Sequence, residues 1–186
     1  MKFTQIATAI ALGLALTTGA QAATATDTFN VTITINGTCD AAAFAANTPA
    51  DVAFAAQTAA ATSTALTATN GATGLAVRCS KGLPVTVGLT PSSNSTNGTS
   101  TMTNGTSTIA YSLTQPTGGP AGPFTAAYTT AWGNVTGVGA NVLAVTGNGL
   151  AAGDAVNLPV GATIAANLLN VSAGNYTDAV TATLTY

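Results

Sequence analysis

Two stretches of this chain alternate with a period of two. In Thr28-Phe29-Asn30-Val31-Thr32-Ile33-Thr34-Ile35 every second residue is large and apolar, and those between are Thr or Asn. Towards the other end, Tyr176, Val180, Ala182, Leu184 and Tyr186 share one parity. A helix, repeating every ~3.6 residues, would scatter these side chains around its circumference, whereas a strand places them on one face. The first stretch therefore predicts a strand with one dry face, stopped by the turn signal Asn36-Gly37. The second predicts a closing strand that includes Tyr186.

Further strands are predicted at residues 74–79, 83–89, 109–113, 128–132, 142–145 and 157–164, with Pro84 near the start of its strand, where a missing N–H does least harm. Residues 40–73 are rich in Ala, the best helix former. Their Ala residues are nonetheless interleaved with Thr and Asn and broken by Pro49, without apolar recurrence at helical spacing. Val52 and Phe54 alternate as a short strand would, and one short helical turn there fits this reading. The polar tract 92–108 contains Asn97-Gly98 and Asn104-Gly105, both read as hairpin turns. Residues 115–123, with three Pro and three Gly, read as a loop closed to regular structure. Many short strands between turn clusters predict an all-β sandwich or barrel.

The first residues read as an export signal: Lys2, an apolar run from Ile6 to Leu16, then the small-x-small pattern Ala20-Gln21-Ala22, with cleavage expected after Ala22. The run is too short to cross a bilayer comfortably, and no later run of about 20 apolar residues offers an anchor. The expected organisation is a signal peptide at 1–22, an N-terminal strand segment at 23–36 and one β-sandwich domain at 37–186. About 160 mature residues suit one domain.

Beyond the signal, only Arg78 and Lys81 are basic, against Asp27, Asp40, Asp51, Asp154 and Asp178. No basic stripe for nucleic acid can be built from that set, and weak charge lowers the repulsion that keeps copies apart. General acid–base catalysis near neutrality draws on His or a tuned carboxylate. With no His and no Glu, the chain is expected not to be an enzyme, and no cofactor or metal is expected. Cys39 and Cys79, in an oxidising compartment, read as a disulfide. Trp132 reads as a core anchor, and Asp178 as a turn residue.

The strand before Cys39, the strand leading into Cys79, the segment Tyr128-Thr129-Thr130-Ala131-Trp132-Gly133 and the closing Ala173-Gly174-Asn175-Tyr176-Thr177-Asp178-Ala179-Val180-Thr181-Ala182-Thr183-Leu184-Thr185-Tyr186 together resemble the spore coat protein U domain family. That family includes major subunits of archaic chaperone-usher pili. The resemblance implies an immunoglobulin-like sandwich lacking its final strand, with the gap filled by a periplasmic chaperone and then by the N-terminal segment of the next subunit. It implies Phe29, Val31, Ile33 and Ile35 as donor-strand side chains, unless they form the domain's own first strand. Val180, Ala182, Leu184 and Tyr186 would form the strand that pairs with the chaperone, whose basic residues would hold the Tyr186 carboxylate. Cys39 and Cys79 match the family's disulfide positions. The implied function is a pilus subunit supporting adhesion and biofilm formation, exported through the periplasm to the cell surface. Its implied partners are pilin subunits, a chaperone and an outer-membrane usher, with no membrane insertion. The alternative is a stand-alone secreted coat or matrix protein, or an adhesin module, of the same fold. Residues 115–124 look like an insertion in the family pattern.

Overall fold

The computed structural model describes residues 25–186, apart from 94, 120 and 121 and the side chains of 126–129. The export signal expected at 1–22 lies outside the described residues. The chain divides into two units, Met1–Thr34 and Ile35–Tyr186.

In the first unit, residues 25–34 lie in no helix or strand. Phe29, Val31 and Ile33 are 87%, 88% and 84% exposed. The predicted strand is therefore not formed, and its dry face is wet. Alternation decides which side chains would share a face, but a strand also needs a ladder for its backbone N–H and C=O groups. Ile35, at the start of the second unit, is 81% exposed, and Asn36-Gly37 makes no turn.

The second unit is all-β apart from short helical turns. Ten strands are formed: β1 (Leu66–Thr69), β2 (Leu75–Val77), β3 (Pro84–Pro91), β4 (Thr99–Thr103), β5 (Thr108–Thr117), β6 (Thr125–Ala131), β7 (Leu143–Thr146), β8 (Val156–Leu158), β9 (Gly161–Ile164) and β10 (Val180–Thr185). One five-residue helix, α1 (Ala41–Ala45), supplies a short helical turn in the Ala-rich region, which also holds a 3-10 turn at Gly71–Thr73; the N-cap of α1, Asp40, accepts a hydrogen bond from Ala43 N.

All pairings are antiparallel. One sheet runs β1-β9-β5-β4, with β6 also paired to β5; a second runs β10-β3-β7; β2 and β8 form a two-stranded ribbon. In β3, Val85, Val87 and Leu89 are buried, and in β5, Ile109, Tyr111 and Leu113 are. These rows, with Ala162 and Ile164 of β9 and Val145 of β7, belong to one continuous core, as in a sandwich. Trp132 is fully buried and ties the two sheets together. Its backbone N–H donates to Leu113 O on β5, and its indole Nε1–H donates to Val87 O on β3 at 2.8 Å. Gly98, at φ +77°, abuts the Trp132 carbonyl where a Cβ would collide.

Several boundaries differ from expectation. Residues 157–164 form two strands, not one, because Pro159 lies between β8 and β9, which belong to different sheets. β5 continues through Gln115 and Pro116 into the supposed loop. The register with β6 shifts between Gln115 and Thr117, so Pro116 sits at an irregularity of the ladder, where its missing N–H is tolerated. β1 and β4 were hidden in Ala-rich and Ser/Thr-rich composition. Asn104-Gly105 does turn the β4–β5 hairpin, whereas Asn97-Gly98 only leads the chain into β4. Tyr186 follows β10 instead of lying within it.

Candidate functional site

β10 is the last strand of its sheet. It pairs with β3 from Val180↔Pro91 to Thr185↔Thr86, and its other edge carries no strand among the described residues. An open edge presents unpaired N–H and C=O groups in a row. Ala182 and Leu184 pack partly against the core, while Val180 is 40% and Tyr186 57% exposed. Val180, Ala182 and Leu184 thus lie on an edge strand, and Tyr186 directly follows it.

Beside that edge lies an apolar groove. One wall is residues 49–59, which enter no strand although Val52 and Phe54 are half-buried with the expected alternation. The other wall is residues 171–182. Leu89 of β3 and Met102, Tyr111, Leu113 and Ala162 of the larger sheet line the groove from below, so it opens directly onto the core between the sheets. Its first part encloses about 510 Å³. The second, about 460 Å³, continues past Ile109, Ile164 and Leu169, with Val52, Phe54, Met102 and Tyr176 shared between the two. An extended row of apolar side chains, every second residue pointing inward, is the ligand such a slot fits.

One carboxylate holds the wall in place. Asp178 accepts hydrogen bonds from the hydroxyls of Ser92, Ser100 (2.7 Å) and Tyr111 (2.7 Å) and from the Ala179 N–H (2.9 Å). Just before it, Thr177 exchanges both backbone hydrogen bonds with Thr103 at the end of β4. The chain is thereby pinned where it passes from the larger sheet to β10. Burial by itself pushes the Asp178 carboxyl up. The hydroxyls of Ser92, Tyr111 and Ser100 and the Ala179 N–H more than offset this and hold it below the usual carboxylate range. Burial first, then the hydrogen bond to and charge of Asp178, push the Tyr111 phenol far above its ordinary value, with Ser100 opposing. Sequence reading took Asp178 for a turn residue. Its parity with Tyr176 and Val180 was the available signal that it faces inward.

Cys39 and Cys79 form the expected disulfide, 7% and 0% exposed. The two residues also form an antiparallel bridge, extended by Ser80 N to Thr38 O and Asp40 N to Arg78 O. Arg78 pairs with Asp40 at 2.8 Å. Residues 38–40 are thus stitched to 78–80.

Among the described residues no helix is long and apolar enough to cross a membrane. No curated protein matches the chain. A match to the Spore Coat Protein U domain spans residues 25–183, starting ahead of Phe29 and ending within β10. The chain belongs to the spore coat protein U domain family.

Proposed function

We propose that this protein is a structural subunit of a secreted surface fibre, assembled by strand donation. The observation that carries the reading is a mismatch. Phe29, Val31, Ile33 and Ile35 form an alternating apolar row that is 81–88% exposed and outside any strand. The Ile35–Tyr186 unit has an apolar groove beside an unpaired strand edge. In the assembled fibre the row of one subunit fills the groove of the next. Its backbone pairs with the free edge of β10, and its four side chains descend between Val52/Phe54 and Val180/Ala182.

Burial of side chains of this size is worth about 1.5–3 kcal/mol each before the costs of ordering and association. Left empty, the groove and edge together favour aggregation. A periplasmic chaperone that covers both before an outer-membrane usher releases the subunit meets that need, and a fibre at the cell surface serving adhesion and biofilm formation is the product. The near absence of charge supports assembly. The family match includes the row, which supports reading it as part of the working domain.

The test is to express the full chain in a periplasm, with and without residues 23–36, and to run unboiled samples on a denaturing gel. A ladder that requires 23–36 and collapses on boiling is expected. A full-length monomer that is stable without a chaperone, and that unfolds when 23–36 are removed, would instead identify a self-complete coat protein.

A further inference from the structure

Five Asn-Gly steps occur in the chain: Asn36-Gly37, Asn70-Gly71, Asn97-Gly98, Asn104-Gly105 and Asn148-Gly149. Such a step can lose its amide without an enzyme, because Gly leaves its own N–H unshielded beside the Asn side chain and lets the backbone bend. Whether it does depends on the freedom of two groups, the Asn carboxamide and the following backbone nitrogen.

Four of the steps are restrained. Asn70 donates to Ala50 O and accepts from Val160 N, while Gly71 N donates to Thr69 Oγ1. Asn104 Oδ1 accepts from both Thr106 N and Ser107 N, and Gly105 N donates to Thr103 Oγ1. Gly149 N donates to Cys79 O in the bridge beside the disulfide. Gly98 is buried against the Trp132 carbonyl, and Asn97 Oδ1 accepts from Thr96 Oγ1.

Asn36-Gly37 differs on both counts. Both residues are exposed, and neither the Asn36 carboxamide nor the Gly37 N–H holds a hydrogen bond among the described residues. The restraint begins one residue later, where Thr38 N donates to Ser80 Oγ, Ser80 N donates to Thr38 O, and Cys39 is bonded to Cys79.

We infer that Asn36-Gly37 is a spontaneous deamidation and isomerisation site, a chemical clock in the two residues that join the apolar row to the disulfide-pinned part of the domain. The Gly37 nitrogen attacks Asn36 Cγ, a C–N bond forms, and the side-chain nitrogen leaves as ammonia with the proton from Gly37. Water then opens the resulting succinimide at either carbonyl, giving aspartate or isoaspartate. No oxidant or reductant is needed. Either product places a carboxylate next to Ile35 in a nearly uncharged protein, and isoaspartate also lengthens the backbone by one methylene. The chemistry stands whether or not the row is donated.

The test incubates the folded, disulfide-bonded full chain in warm, mildly alkaline buffer. Peptide mass spectrometry follows amide loss at each of the five steps, and isoaspartyl methyltransferase labelling counts the isomerised product. Asn36 is expected to react about tenfold faster than Asn70 or Asn104, which must first break a hydrogen bond. In denaturant with reductant the five steps should converge, and Asn36→Gln should remove most of the label from the folded protein. Equal loss across the five steps in the folded chain would overturn the inference. So would a lead for Asn36 that persists undiminished on unfolding, or label that survives in N36Q.

Discussion

The Tyr111 hydroxyl donates a 2.7 Å hydrogen bond to Oδ2 of Asp178, the same oxygen that accepts from Ser100 Oγ. Tyr111 belongs to β5 of the larger sheet, and Asp178 lies two residues before β10 of the other. The contact therefore fixes one wall of the groove relative to its floor.

This pair sets a pH dependence whose sign follows from the two shifts. Asp178 is held below its unfolded value near 3.9, so its contribution is complete above that pH and is lost as pH falls through the folded value. Tyr111 is raised, so its contribution is complete below about pH 10 and is lost as pH rises through the folded value. Thermal melts should show a plateau between about pH 5 and 9, with Asp178→Asn flattening the acid limb. Parallel acid limbs in parent and variant would count against the assignment. At neutral pH, Tyr111→Phe should cost about 1 kcal/mol, the worth of one hydrogen bond.

Trp132 makes the other link between the sheets. Trp132→Phe keeps most of the apolar area but removes the donor to the buried Val87 carbonyl, which predicts a loss of about 1–3 kcal/mol in urea melts. Trp132→Ala adds a large cavity and should cost about 3–5 kcal/mol. A Phe variant as unstable as the Ala variant would mean that the hydrogen bond, and not the ring, carries the effect.

The disulfide closes a loop across a sequence separation of 40 residues. The chain-entropy treatment assigns such a loop about 4 kcal/mol. Replacing both cysteines, Cys39→Ser with Cys79→Ser, should lower stability by that order in denaturant melts, with a steeper slope because the unlinked unfolded chain exposes more surface.

Much of this was legible in the residues. Alternation located β3, the first half of β5, β7 and β10, since each has one face on the core and one outside. β1 and β4 were missed because their inward residues include Ala68 and Ser100, which carry little apolar signal. The extension of β5 through Pro116 was missed because a ladder irregularity absorbs the missing N–H, and no local pattern announces such a partner. The groove was implied by the family resemblance alone and by no local pattern, since its walls are nearly 130 residues apart in sequence, at Val52 and Val180. The row at Phe29, Val31, Ile33 and Ile35 was read correctly as alternating and wrongly as a formed strand. Its sequence specifies a face and leaves the partner unspecified.

Strand donation is tested most directly by complementation between two disabled chains. One carries Asn in place of Phe29, Val31, Ile33 and Ile35 and so cannot donate; the other carries Ala182→Trp, which fills the groove, and so cannot accept. Each expressed alone in a periplasm should give no ladder on an unboiled denaturing gel. Co-expressed, the pair should give a single heat-labile dimer band containing both chains, the intact row of the second seated in the open groove of the first. Absence of that dimer while both chains remain folded, or a full ladder from the chain lacking the apolar row, would contradict donation.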